Sequence, residues 1–176
     1  MTTSSAPRHP KADRPSIPAG YGIPKHTKGL VSWTEVERRL TDAKVYWVAT
    51  SGPGGRPGVR PVDGLYVDGV LYIGGSPETR WARDLNTNPQ VAVHLDGGYD
   101  VVIMEGRAEL LENGVGDEQA ERLAAVSNAK YPAYGMTAAN FKGPGPFAIR
   151  PHLAFAWSNF PKDVTRFTFD DNGEEP

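Results

Sequence analysis

Between Lys44 and Trp157 the sequence repeatedly breaks into runs rich in β-branched and aromatic residues, and several are joined by turns only two or three residues long. Asp68-Gly69 separates a run over 58–67 from one over 70–74, and Asp96-Gly97-Gly98 separates 90–95 from 100–111. An Asp-Gly pair closes a β-hairpin and is far too short for the crossover that parallel strands need. Neighbouring strands must therefore run antiparallel, and a doubly wound parallel sheet is disfavoured.

Further strands are expected over 44–50 and 147–157, with a short alternating run over 164–169. Ser32-Trp33-Thr34-Glu35 fits a capping box, and Trp33, Val36, Leu40 and Ala43 repeat at helical spacing, which predicts a helix over 33–42. A second helix is expected between Pro77 and Thr87, with Trp81, Ala82 and Leu85 inward. It is stopped by Asn88-Pro89, because the residue before a proline is pushed out of the α region. A third covers 117–130, with Ala120, Leu123, Ala124 and Ser127 on one stripe, and a Gly/Pro-rich loop follows from Tyr131 to Pro146. Six or seven strands with three helices at the connections indicate an α+β class with a barrel or curled sheet.

A length of 176 residues suits one domain. With no Cys, thiol catalysis, disulfides and Cys-based metal sites are excluded, and the four His share no metal-ligand spacing. The longest apolar run, Val45 to Ala49, is too short to cross a bilayer, and the first thirty residues hold no apolar block, so a cytoplasmic location is the default expectation. No basic stripe with interleaved aromatics points to nucleic acid. Residues 1–30 carry five basic residues, one acid and five Pro, and read as a disordered or docking arm. The ordered domain is expected over 31–169, with order beginning near Ser32 and an acidic tail over 170–176. Deleting 1–28 is expected to leave folding intact and to alter substrate affinity.

The stretch that carries chemistry runs from Val70 to Arg83. A strand delivers the chain into Gly74-Gly75-Ser76, and a helix then opens with Arg80 and Arg83. Glycines let backbone amides approach an anion, a helix start adds positive potential, and Arg supplies paired donors, so a phosphate cradle fits. A glycine turn before a helix with two solvated Arg fits the same residues. Arg60, within Arg60-Pro61-Val62 on the strand paired through the hairpin, is either a third cation or a surface residue on a sheet rim. No Gly-x-Ser-x-Gly elbow, P-loop or paired catalytic carboxylates occur, and no catalytic side chain is assigned. A phosphate site without nucleophile, base or metal suits a protein that holds a redox cofactor whose ring does the chemistry.

The order Trp47-Val48-Ala49-Thr50, Gly55-Arg56-Pro57, Arg60-Pro61-Val62, Leu71-Tyr72-Ile73, Thr79-Arg80, Leu85-x-x-Asn88-Pro89 and Gly106-Arg107-Ala108 resembles the pyridoxamine 5'-phosphate oxidase-like split-barrel flavoproteins, in particular their flavin/deazaflavin oxidoreductase branch. The resemblance implies a six-stranded antiparallel split β-barrel with short flanking helices. It implies a homodimer binding F420 or FMN at the subunit interface, and hydride transfer to or from a small unsaturated or aromatic substrate. Carried over by position, the cofactor residues are Arg60, Pro61, Val62, Ile73, Gly74, Gly75, Ser76, Thr79, Arg80, Trp81 and Arg83. Trp81 stands where the family has Lys, which predicts either stacking on the ring or packing in the core, with Arg83 as a partial substitute. Aligned on Gly106, the oxidase's Arg-Gln pair becomes Asp100-Val101, so oxidation of pyridoxamine phosphate is not expected. The alternative is a non-catalytic protein that stores or senses flavin or haem.

Overall fold

The computed structural model describes residues 9–169; residues 1–8 and the acidic segment 170–176 lie outside the described residues. Helix α1 (Trp33–Asp42) begins where the capping signal places it, with the Ser32 hydroxyl accepting from the Glu35 amide at 3.2 Å. The reciprocal half of the box is not made. The Glu35 carboxylate turns instead to Arg38 and Arg39, whose hydrogen bonds hold it far below the usual range, at about 2. Trp33, Val36 and Leu40 form the buried face of the helix. The other helices are α2 (Arg80–Thr87) and α3 (Asp117–Lys130). The segment 77–79, expected to be helical, is a turn closed by the Thr79 amide on the Ser76 carbonyl at 3.1 Å.

Nine strands are present among the described residues, where the sequence pattern predicts six or seven: β1 (Lys11–Asp13), β2 (Tyr46–Ser51), β3 (Pro57–Val62), β4 (Gly64–Val67), β5 (Val70–Ile73), β6 (Gln90–Leu95), β7 (Val101–Leu110), β8 (Phe147–Trp157) and β9 (Thr165–Thr168). Every pairing is antiparallel, in the order β1-β9-β8-β7-β6-β2-β3, with β5 on β8 and β4 on β5. Asp68 and Gly69 both adopt positive φ, as a tight two-residue hairpin requires. One edge of β8 pairs with β7 along its length, while the other takes β5 at 147–149 and β9 at 153–156. The path from β3 through β2, β6, β7, β8 and β5 to β4 closes on itself, because β3 continues into β4 through Asp63. The expected single strand over 58–67 is thus two strands bent at Asp63. Gly64 permits the bend: a Cβ there would lie 3.0 Å from both Leu71 and the Tyr46 ring.

The inward residues of this ring, among them Tyr46, Val48, Val93, Val102, Met104 and Ile149, form the main core with Phe167 of β9 and the buried face of α1. The β4–β5 hairpin is covered on both sides. Tyr66, Leu71 and Ile73 face that core, whereas Leu65 and Val67 pack on Ala120, Leu123 and Ala124 of α3.

Order begins well before Ser32. Strand β1 pairs with β9, and the Arg166 guanidinium grips the Asp13 carboxylate at 2.7 and 2.8 Å. Arg14 donates to the carbonyls of His26, Lys28 and Val164 at 2.8–3.1 Å. Strand pairing and the Asp13–Arg166 ion pair fasten the arm to the sheet, and Arg14 ties its later residues back to the start of β9.

Candidate functional site

The junction between β5 and α2 is exposed from Gly74 to Glu78. The Thr79 hydroxyl is committed to the Ser76 carbonyl at 2.8 Å and does not cap α2; no side chain caps this helix, and its first turn holds no acid. The leading amides of α2 are therefore left for an external acceptor, at the positive end of the helix dipole. The Ser76 hydroxyl accepts from the Glu78 amide at 3.2 Å, which keeps the turn tight.

Strand register decides which predicted residues join this junction. Gly58, Arg60 and Val62 of β3 lie opposite Thr50, Val48 and Tyr46, all of them buried, so these alternate β3 residues share the inward face of the edge strand. The Arg80 guanidinium lies over the start of β3, with Nη2 at 3.3 and 3.4 Å from the Pro57 and Arg56 carbonyls, and a Cβ on Gly58 would sit 3.5 Å from it. Arg60 leaves the same face two residues further along and is exposed, with one N–H on the Val59 carbonyl at 2.7 Å. Arg80 thus stands in the corner at the open end of α2, next to Thr79 and the Gly74–Ser76 turn, and Arg60 emerges from the same face of β3 that Arg80 overlies.

Three predicted side chains are not in that corner, and Arg83 is exposed one turn past Arg80. Pro61 pairs with Trp47 and belongs to the opposite face of the sheet. Ile73 is in the core, so only its backbone reaches the turn. Trp81 is 8% exposed and packs edge-on against Phe147 at 5.7 Å, with its indole so close to Gly75 that a Cβ there would lie 2.8 Å from the ring. Of the two expectations for Trp81, core packing is the one found.

Beneath Arg80 lies a residue the sequence reading passes over. Asp84, one helical turn on, is buried, accepts from the Thr50 hydroxyl at 3.1 Å, and stands 3.5 Å from Arg80 Nε. Its i, i+4 spacing from Arg80 was the available signal.

A cavity of about 390 Å³ opens on the other side of the Gly74-Gly75 turn, between the β4–β5 hairpin and the loop after α3. Its walls include Tyr72, Tyr131, Tyr134, Met136 and Phe141, with Asp63 and Asn140 as polar groups. Tyr134 donates to the Asp63 carboxylate, and both this bond and the nearby carboxylate charge push the phenol above its usual range. Burial raises Tyr72 as well. Behind Tyr131, the Lys130 amine donates to the Tyr46 hydroxyl (2.8 Å) and the Gly64 carbonyl (3.0 Å), and burial lowers it to about 8. The cavity was hidden because its aromatic wall comes from a stretch that reads as a Gly/Pro-rich loop; Tyr, Met and Phe inside so long a loop were the clue. Among the described residues no group of His, Asp or Glu could hold a metal, and no helix is long and apolar enough to cross a membrane.

An antiparallel sheet closed through a bent strand, with an uncapped helix start at the strand–helix turn, defines a split barrel. Residues 32–169 match the family model for pyridoxamine 5'-phosphate oxidase, and the chain belongs to that family. Among solved structures it is similar to an F420 reductase (20% identity, 67% of this chain and 94% of that one, TM-score 0.52) and to an FAD-binding protein of Mesorhizobium loti (21% identity, 80% and 96%, TM-score 0.55). It is also similar to a haem storage protein of Vibrio cholerae (19% identity, 67% and 88%, TM-score 0.53). At such identities the likeness concerns the fold. No curated protein matches the sequence.

Proposed function

We propose that the protein is an oxidoreductase that holds F420 or FMN by its phosphate and passes hydride to or from a small unsaturated or aromatic substrate. The observation that carries this reading is the uncapped start of α2 with the Arg80 guanidinium over β3, on the strand face from which Arg60 emerges. These are donors and cations of the kind a phosphate requires, set beside two exposed glycines that let a ligand approach the backbone. The residues fit the phosphate end of such a group. When bound, its ring supplies two-electron chemistry that needs no side-chain base.

The chain's own part is to bind, orient and exclude water. Arg60, Arg80 and the α2 amides fix the tail, Thr79 holds the turn that presents them, and the Gly74-Gly75 backbone sets where a ring can lie. The cavity behind that turn, walled by Tyr72, Tyr131 and Phe141, accepts a small apolar or aromatic molecule and keeps bulk water from it.

A homodimer is part of the proposal. The outer face of the sheet carries Trp47, stacked on His94 at 6.1 Å, with Ile103, Phe155 and Trp157 on neighbouring strands. The exposed Val59 and Pro61 of edge strand β3 extend it. A cytoplasmic location accords with the absence of cysteine.

The test is titration of the purified protein with FMN, F420 and haem, followed by visible spectra. Saturable binding of F420 or FMN, bleaching by a reductant and recovery on addition of an unsaturated substrate support the reading. Uptake of haem without hydride transfer makes the protein a binder, like the storage protein whose fold it shares. Affinity for F420 and FMN that survives Arg60→Glu together with Arg80→Glu overturns the site.

A further inference from the structure

We infer that Asp84 is a specificity-determining residue, which neutralises Arg80 and tunes the anion corner toward a singly charged phosphodiester rather than a doubly charged phosphomonoester. This rests on the site proposed above.

The site rests on two guanidinium groups, Arg80 at the start of α2 and Arg60 on the same face of β3. Asp84 cancels one of them: it is buried, 3.5 Å from Arg80 Nε, and further held by Thr50. Gly52 lies close beside it: a Cβ added there would come within 2.6 Å of its oxygen. Trp81, directed into the core, adds no charge. Glu78, Arg56 and Arg83 are exposed, as Arg60 is, and solvent screens all four. Asp84 therefore offsets the more shielded of the two guanidinium groups, and what remains is screened charge and the helix dipole.

A phosphomonoester carries close to two negative charges above about pH 6, and a diester only one. The second charge meets Asp84 as well as the cations, so it adds little to binding. FMN ends in a monoester, whereas the phosphate of F420 is a diester. An extra unit charge about one helical turn from a carboxylate, in a partly wet site, changes affinity by about tenfold.

The experiment keeps the ring constant. FMN, its 5'-phosphate monomethyl ester and riboflavin are titrated by fluorescence into the wild type and into Asp84→Asn, which retains an acceptor for Thr50. The wild type should bind FMN and the methyl ester within about threefold of each other. Asp84→Asn should shift their ratio about tenfold toward FMN. An unchanged ratio in Asp84→Asn overturns the inference.

A second measurement needs no variant. From pH 5 to 7.5 FMN gains its second charge while the ester does not, so the ester corrects for titration of the protein. In the wild type FMN affinity relative to the ester should stay nearly level, and a rise of tenfold or more overturns the inference. Failure of the site itself is separable, since riboflavin would then bind as tightly as both phosphates.

Discussion

Trp81 is the residue at which core packing and cofactor binding make opposite demands. If it belongs to the core, Trp81→Lys should damage the fold rather than repair the site. At 8% exposure the indole removes roughly 200 Å² from water. At about 25 cal/mol per Å² this is worth at most about 5 kcal/mol. The methylene stem of lysine recovers part by lining the same wall while its ammonium reaches for water, which leaves a net loss of about 3 kcal/mol. In a domain of this size that is a fall of roughly 6–12 °C in Tm. Trp81→Phe retains an aromatic contact for Phe147 and should cost about half as much. Thermal melts followed by far-ultraviolet circular dichroism, with FMN titrations on the same samples, decide the matter. A Trp81→Lys protein melting within about 2 °C of the wild type and binding FMN more tightly would refute the reasoning, because the indole would then lie outside the core and a lysine could enter the corner.

Asp13 provides an acid-sensitive fastening. The hydrogen bond from Arg166 holds its carboxyl below the usual range, so its stabilising effect is present above the unfolded value of about 4 and is lost as pH falls through the folded one. Hydrogen exchange at β1 amides should accelerate at acid pH before the core opens, and Asp13→Asn should abolish that step. Lys130 behaves in the opposite sense: burial lowers it to about 8, so the folded state binds fewer protons than the unfolded one between about 8 and 10. In urea titrations the stability of the wild type relative to Lys130→Met should therefore rise from pH 7 to pH 9.5, and a fall would contradict the burial. Gly106 sits at the β7 irregularity, where a Cβ would meet the Arg150 carbonyl at 2.3 Å. Gly106→Ala should cost several kcal/mol in a denaturant melt, as backbone-on-backbone clashes cannot be relieved by a rotamer change.

Much of this architecture was open to reading because it is written locally. The bounds of α1 and α3 and the Asp68-Gly69 hairpin follow from a cap, a stripe and a turn pair, each confined to a few neighbouring residues. Strand β1 was not legible. Three residues cannot show a period, and what fixes them is a guanidinium 153 positions away. The bend at Asp63 was hidden for the reverse reason: residues 58–67 read as one strand, although the chain changes partner there from β2 to β5.

The candidate site shows the same division at finer scale. Arg60-Pro61-Val62 reads as one unit along the chain, but a strand sends alternate residues to opposite faces, so Arg60 can serve the corner only if Pro61 does not. Arg80 reads as a free cation until the helix places Asp84 one turn below it. An anion corner is therefore defined by net charge after pairing, which a list of arginines does not contain. Asp84 is buried in the interior, where its effect on a ligand is less screened than that of any exposed charge around it. The cations favour the doubly charged phosphate and exposed Glu78 is screened, so a preference for the singly charged one must rest chiefly on this buried carboxylate.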